Sequence, residues 1–190
     1  MRISAIVLGV LTGLLLMAAP RARGAQEPSV MDYEAQAEYL RSLADFIDWP
    51  SSASNRAASK TINFCVLGRD PYGEMLNKSV LEHPLGERRT VITRASHFED
   101  LGTCDILFIS SSEVKHETKI LQRLRNKDVL TVGDTDDFAA RGGIIQFVMD
   151  QGHVSFLINV DAAQRAGLRI RASLLALAKI VHDQPGKSGG

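Results

Sequence analysis

The chain holds only two cysteines in 190 residues, and that scarcity excludes several classes of protein. Two cysteines, Cys65 and Cys104, are too few for a disulfide-stapled miniature scaffold or a cysteine-rich zinc module. The histidines at 83, 97, 116, 153 and 182 stand at no metal-ligand spacing to one another or to a cysteine. No metal site and no cofactor are therefore expected. Charge of one sign is also lacking: 22 Lys and Arg face 22 Asp and Glu. With no basic cluster anywhere, a nucleic-acid surface is excluded.

Long apolar runs are confined to one. Ala5 to Ala19 follows Arg2 and is broken by Pro20, and Ala22-Arg23-Gly24 supplies small residues at both cleavage-determining positions. This is the pattern of a secretory signal, expected to span residues 1–24 with cleavage near Gly24. Removing Arg2, Arg21 and Arg23 from the 22 basic residues leaves 19 against 22 acidic ones, a net charge of −3. The remaining chain can bury one substantial core and reads as a single domain, exported and soluble.

Export changes what the cysteines mean, because the compartment is oxidising. Cys65 lies in the apolar run Ile62–Leu67, and Cys104 sits at the entry to Asp105–Ile109. If those strands are neighbours, the two sulfurs can meet in a structural disulfide; two buried thiols are the alternative. The absence of a C-x-x-C motif argues against a redox role.

The element pattern is α/β. Tyr33 to Trp49 reads as an amphipathic helix with Tyr39, Leu43, Phe46 and Ile47 on its stripe, ended by Pro50. Ser51–Lys60 reads as a linker. Ile62–Leu67 is a strand, and Gly68-Arg69-Asp70-Pro71 turns into a helix capped by Asp70 and running to about Lys78. Strands follow at Thr90–Arg94 and Cys104–Ile109, then a helix from Glu113 with Val114, Leu121 and Leu124 on its stripe, and a strand at Val129–Val132. Ile144–Met149 and Val154–Ile158 flank Asp150-Gln151-Gly152-His153 as a β-hairpin. Asn159 or Asp161 caps a helix closed by Gly167, Leu168–Arg171 is extended, and Ala172–Val181 reads as a last apolar helix. The expectation is one three-layer domain over 33–182. Its sheet is mixed and mostly parallel, flanked by helices, with a C-terminal hairpin followed by two helices and a flexible tail at 183–190.

Little in this pattern carries chemistry. Ser110, Ser111 and Ser112 follow a buried strand, but no G-x-S-x-G surrounds them, and helix capping accounts for them. Gly68–Gly73 opens a helix after a strand, as anion-binding turns do, yet lacks the glycine pattern and lysine of phosphate loops. Asp134, Asp136 and Asp137 read as turn and cap residues. The best functional candidates are Arg169 and Arg171, two apart in an extended segment and so on one face. Two guanidinium forks there suit a partner carboxylate or a small anionic ligand. Asp161, Gln164 and Arg165 add the polar face of the preceding helix, and Ala162, Ala163 and Ala166 are small enough for another backbone to approach.

Several stretches together resemble the YfiR-like family of exported bacterial proteins. They are Tyr39-Leu40…Phe46-Ile47-Asp48-Trp49-Pro50, Cys65-Val66-Leu67-Gly68-Arg69-Asp70-Pro71-Tyr72-Gly73, Cys104-Asp105-Ile106-Leu107-Phe108-Ile109-Ser110 and the run from Leu130. Their order and spacing cover roughly Tyr33 to Val181. The resemblance implies a non-catalytic periplasmic regulator in c-di-GMP signalling and biofilm control. Such a protein represses a YfiN-like inner-membrane diguanylate cyclase by binding its periplasmic sensor part, and a YfiB-like outer-membrane lipoprotein relieves the repression. It also implies an α/β fold and a homodimer, and it matches Cys65 and Cys104 to the family's paired cysteines. A second cysteine pair found near the hairpin in some members is missing here. The alternative function is a periplasmic small-molecule binding module serving a transporter or sensor kinase.

Overall fold

The computed structural model describes residues 30–49 and 60–183. The expected signal peptide and most of the Ser51–Lys60 linker lie outside the described residues. A seven-stranded sheet organises the rest, in the order β3-β2-β4-β5-β6-β7-β9. Its strands are β2 (Thr61–Leu67), β3 (Arg89–Ala95), β4 (Ile106–Ile109), β5 (Leu130–Gly133), β6 (Ile145–Asp150), β7 (His153–Asn159) and β9 (Lys179–Val181). The first five run parallel, the β6–β7 hairpin reverses direction, and β9 runs parallel to β7. A separate two-stranded ribbon joins β1 (Ile47–Asp48) to β8 (Arg169–Ile170). The helices are α1 (Val30–Leu43), α2 (Glu74–Glu82), α3 (Glu117–Leu124), α4 (Val160–Arg165) and α5 (Ala172–Leu175).

Alternation along the central strands builds three layers. Phe64, Val66, Ile106 and Phe108 face one cluster with Leu40, Leu43, Leu76, Ala162 and Leu168 from the helices. Cys65, Leu67, Leu107 and Ile109 face the other, with Ile120, Leu121 and Phe138. Both faces are covered, so β2 and β4 read as continuous apolar runs. Cys65 and Cys104 lie within the second cluster, joined by a disulfide with 5.8 Å between Cα atoms. Since β2 and β4 are direct neighbours, the condition set by the sequence is met.

The hairpin turn is the two residues Gln151 and Gly152, at φ 50° and 83°, with Asp150 paired to His153. Positive φ at both positions matches the right-handed twist of the flanking strands. Phe138 is fully buried on the β5–β6 connection, and the connection's glycines make room for it. A Cβ on Gly133 would come 2.5 Å, and one on Gly143 2.1 Å, from its ring.

The helix expected to run to Trp49 ends at Leu43. Phe46 and Ile47 leave it because the β1–β8 ribbon takes their backbone; the Phe46 carbonyl accepts from the Arg171 amide at 2.9 Å. The buried stripe of α1 is therefore Ala37, Leu40 and Leu43, and Tyr39 stands 39% exposed, edge-on to Phe156. Asp70 does not cap α2. Its Oδ1 closes a two-residue turn onto the Tyr72 amide, and the helix starts at Glu74 and runs on to Glu82. The expected helix from Glu113 starts at Glu117, after a 3-10 turn capped by Ser110, and leaves Val114 half exposed. The last apolar helix stops at Leu175. Lys179–Val181 becomes β9 instead, because the open edge of β7 offers the ladder partners that β-branched Ile180 and Val181 favour.

Candidate functional site

The loop after β2 shows why an anion-binding turn fails there. Its own groups fill it. The Arg69 amide donates to Ser112 Oγ at 2.9 Å, and Arg94 bonds Asp70, the Gly73 carbonyl and Asn77. A Cβ on Gly68 would meet Ser112 Oγ at 2.4 Å. Ser110 Oγ accepts from the Ser112 amide, so two of the three serines are spent on turn geometry. Among the described residues, no three His, Cys, Asp or Glu side chains converge as a metal ion would require.

A buried polar network stands beside this edge. Glu117 is fully buried and receives Arg141 through Nε at 2.9 Å and Nη2 at 2.6 Å, and Thr135 Oγ1 also donates to it. Nearby Asp134 has one carboxylate oxygen buried without a partner among the described residues. Burial first, with the Glu117 charge behind it, pushes its carboxyl up to about 6, although amides of Asp134 and Ser111 pull the other way. Arg141 ties the β5–β6 connection to α3 with a charge-assisted fork.

The residues singled out by the sequence divide between two places. Arg171 precedes α5 and reaches back to Asp48 at 3.1 and 3.3 Å, while Arg169 pairs with Asp48 across the β1–β8 ribbon. Both arginines are exposed. Arg171 also lines a cleft of about 450 Å³ with Ile47, Trp49, Ile62, Arg88 and Asp105. Its wall is part apolar and part charged. Asp105 Oδ2 accepts from the Asn63 amide and side chain at 2.7 and 2.9 Å, and the Trp49 indole nitrogen is buried without a partner among the described residues.

On α4, Asn159 is the cap, accepting from the Ala162 amide at 2.9 Å. Asp161 accepts from the Asp183 amide at 3.0 Å and lies 3.1 Å from His182 Nδ1. The His182 bond holds the Asp161 carboxyl below the usual range. Arg165 forks onto Asp183, one nitrogen at 3.1 Å, and Asn159 adds a bond of 2.9 Å. Burial pushes Asp183 up, but those bonds outweigh it and hold its carboxyl low. Gln164 is exposed. Ala162, Ala163 and Ala166 are buried in the protein's own core, so the close approach they permit is that of α4 to the sheet, not of a second chain to α4.

Sequence reasoning missed Asp48, Trp49, Arg88 and Asp105 as cleft residues, and His182 and Asp183 as partners of α4. The only sequence signal was Trp49-Pro50 closing the first motif, which reads equally as a helix end.

The architecture is that of a mixed α/β domain with a surface cleft at the β1–β8 ribbon and a polar face on α4. The chain belongs to the YfiR/HmsC-like family (DUF4154), whose model matches residues 33–179, nearly all of the described domain. This is a family of periplasmic, regulatory proteins. Among solved structures it is similar to a conserved domain protein from Vibrio cholerae O1 biovar El Tor, at a TM-score of 0.52 and 14% identity, covering 78% of this chain. It is similar too to an ABC domain in complex with L-Trp from Streptococcus pneumonia, at 0.51 and 12%, covering 79%. The chain spans 59% and 60% of the lengths of those two proteins, and the likeness is one of fold.

Proposed function

We propose that this protein is a non-catalytic periplasmic regulator. It holds an inner-membrane diguanylate cyclase inactive by binding the cyclase's periplasmic sensor part, and an outer-membrane lipoprotein releases it. The carrying observation is the family match over residues 33–179. Two surfaces are assigned to the partner: the exposed arginines 169 and 171 at the β1–β8 ribbon, and the polar face of α4 with Asp161, Gln164 and Arg165. Regulation is then a population shift: the sensor's inactive state is favoured by as much as the regulator's differential affinity for it. Crosslinking of a periplasm-plus-membrane fraction, followed by pull-down of this chain, should recover a membrane protein with a diguanylate cyclase domain. Recovery of a transporter component or a histidine kinase in its place would overturn the assignment.

The cleft beside Trp49 favours a second reading, a small-molecule binding module serving a transporter or sensor kinase. Apolar Ile47, Trp49 and Ile62, with charges of both signs from Arg88, Arg171, Asp45, Asp48 and Asp105, suit a small polar organic ligand with an apolar body. A thermal-shift screen separates the two, because a ligand module gains stability with ligand concentration and a pure protein-binding surface does not.

A further inference from the structure

We propose that β9 is a displaceable strand, and that the β7 edge beneath it is an acceptor for an extended segment of a partner protein. β7 spans seven residues, but β9 covers only Leu157, Ile158 and Asn159, so the outer edge of His153–Phe156 has no strand partner among the described residues. An edge left unpaired is a template for another chain. The strand that covers the remainder is weakly held by packing. Lys179 and Ile180 are exposed, Val181 is half-buried, and none of the three belongs to either apolar cluster.

What fastens β9 is polar and follows it. His182 meets Asp161, the Asp183 amide donates to Asp161, and the Asp183 carboxylate is gripped by Arg165 and Asn159. The Arg165–Asp183 ion pair is partly exposed, where ion pairs contribute little and salt weakens them, and the Asp161–His182 contact is an exposed hydrogen bond that gains an ionic part only when His182 is protonated. The segment therefore combines short length, little buried apolar area and salt-sensitive fastenings, which are the marks of local opening below the global stability.

The chain's own residues 179–183 describe the partner that fits. It is an extended segment parallel to β7, with an aliphatic residue in place of Ile180, opposite Ile158 in register, and a carboxylate three positions on for Arg165 and Asn159. Backbone bonds to β7 supply affinity, and the aliphatic and acidic positions supply selectivity. This acceptor edge is a property of the chain and does not depend on which protein is regulated.

Amide hydrogen exchange on the mature chain tests it, comparing wild type with the Asp161→Asn, Asp183→Asn double variant. At low salt the variant should exchange the amide of Ile158 and those of residues 179–181 roughly three- to thirty-fold faster, while the β6–β7 ladder, which holds the Asn159 amide on Ile144, stays protected. Wild type should approach the variant at about 1 M NaCl, where charges are screened beyond ~3 Å. Arg165→Gln, which removes one fastening only, should lie between the two. A labelled peptide of sequence Lys-Ile-Val-His-Asp should bind the Asp183→Asn single variant, which keeps Asp161, Arg165 and Asn159 for the peptide, at least about tenfold more tightly than wild type, because the chain's own strand is loosened there. Equal exchange in wild type, the double variant and Arg165→Gln, or peptide binding no better to Asp183→Asn than to wild type, overturns the proposal.

Discussion

Single residues carry most of the stability that can be tested directly. Phe138 fills the space left by Gly133 and Gly143, so Gly143→Ala forces a methyl into its ring and should cost about 1–3 kcal/mol by overpacking, measured by urea denaturation. Glu117→Gln should cost about 1–3 kcal/mol in the same assay. It leaves Arg141 without its anion, and the loss is moderated because the Arg141 side chain is 35% exposed. Asp134 gives a pH signature. Its folded carboxyl keeps its proton to about pH 6, whereas an unperturbed one releases it near 3.8. Between those values the folded state binds more protons, so stability falls as pH rises through the window. Asp134→Asn should flatten that slope and raise stability at pH 7 by about 1–3 kcal/mol, with little change below pH 4. A variant whose melting curve keeps the wild-type slope between pH 4 and 6 would assign the titration to another group.

At the scale of elements, periodicity located the parallel core, the hairpin and the α4 cap closely. Buried strands such as Ile106–Ile109 announce themselves by unbroken apolar runs, and Gln151-Gly152 by turn chemistry. The misjudged elements are those decided by distant partners. Phe46-Ile47-Asp48 continues a helical stripe in sequence, and only the arrival of Arg169–Arg171 from the far end of the chain makes it a strand. Ile180 and Val181 likewise fit a helix until β7 presents an open edge. Asp183 gave no local sign that it would anchor α4. The candidate site was legible as polar residue types on α4 and β8, while the cleft beside Trp49 was not, since no local pattern joins Trp49, Arg88, Asp105 and Arg171. The disulfide links two elements 39 residues apart in sequence. Reducing it, or making Cys104→Ser, should cost about 4 kcal/mol in the chain-entropy view, read as a lower urea midpoint, and a thiol assay on denatured, unreduced protein should count no free thiols.

For the whole molecule, the family places the chain among periplasmic regulators, and the described residues contain no helix long and apolar enough to cross a membrane. The three-layer core is the buried part. Around it stand a cleft at the β1–β8 ribbon and a polar face on α4, and the surface arginines there can change without disturbing the core. The central claim is that this surface binds the sensor part of a diguanylate cyclase, and calorimetric titration of the purified sensor domain into the mature chain tests it most directly. Wild type should bind, and Arg169→Ala with Arg171→Ala should weaken binding by at least about tenfold, the scale of losing one or two charge-assisted contacts, with an unchanged melting temperature. Unaltered affinity in the double variant, or no binding by wild type at all, would contradict the account.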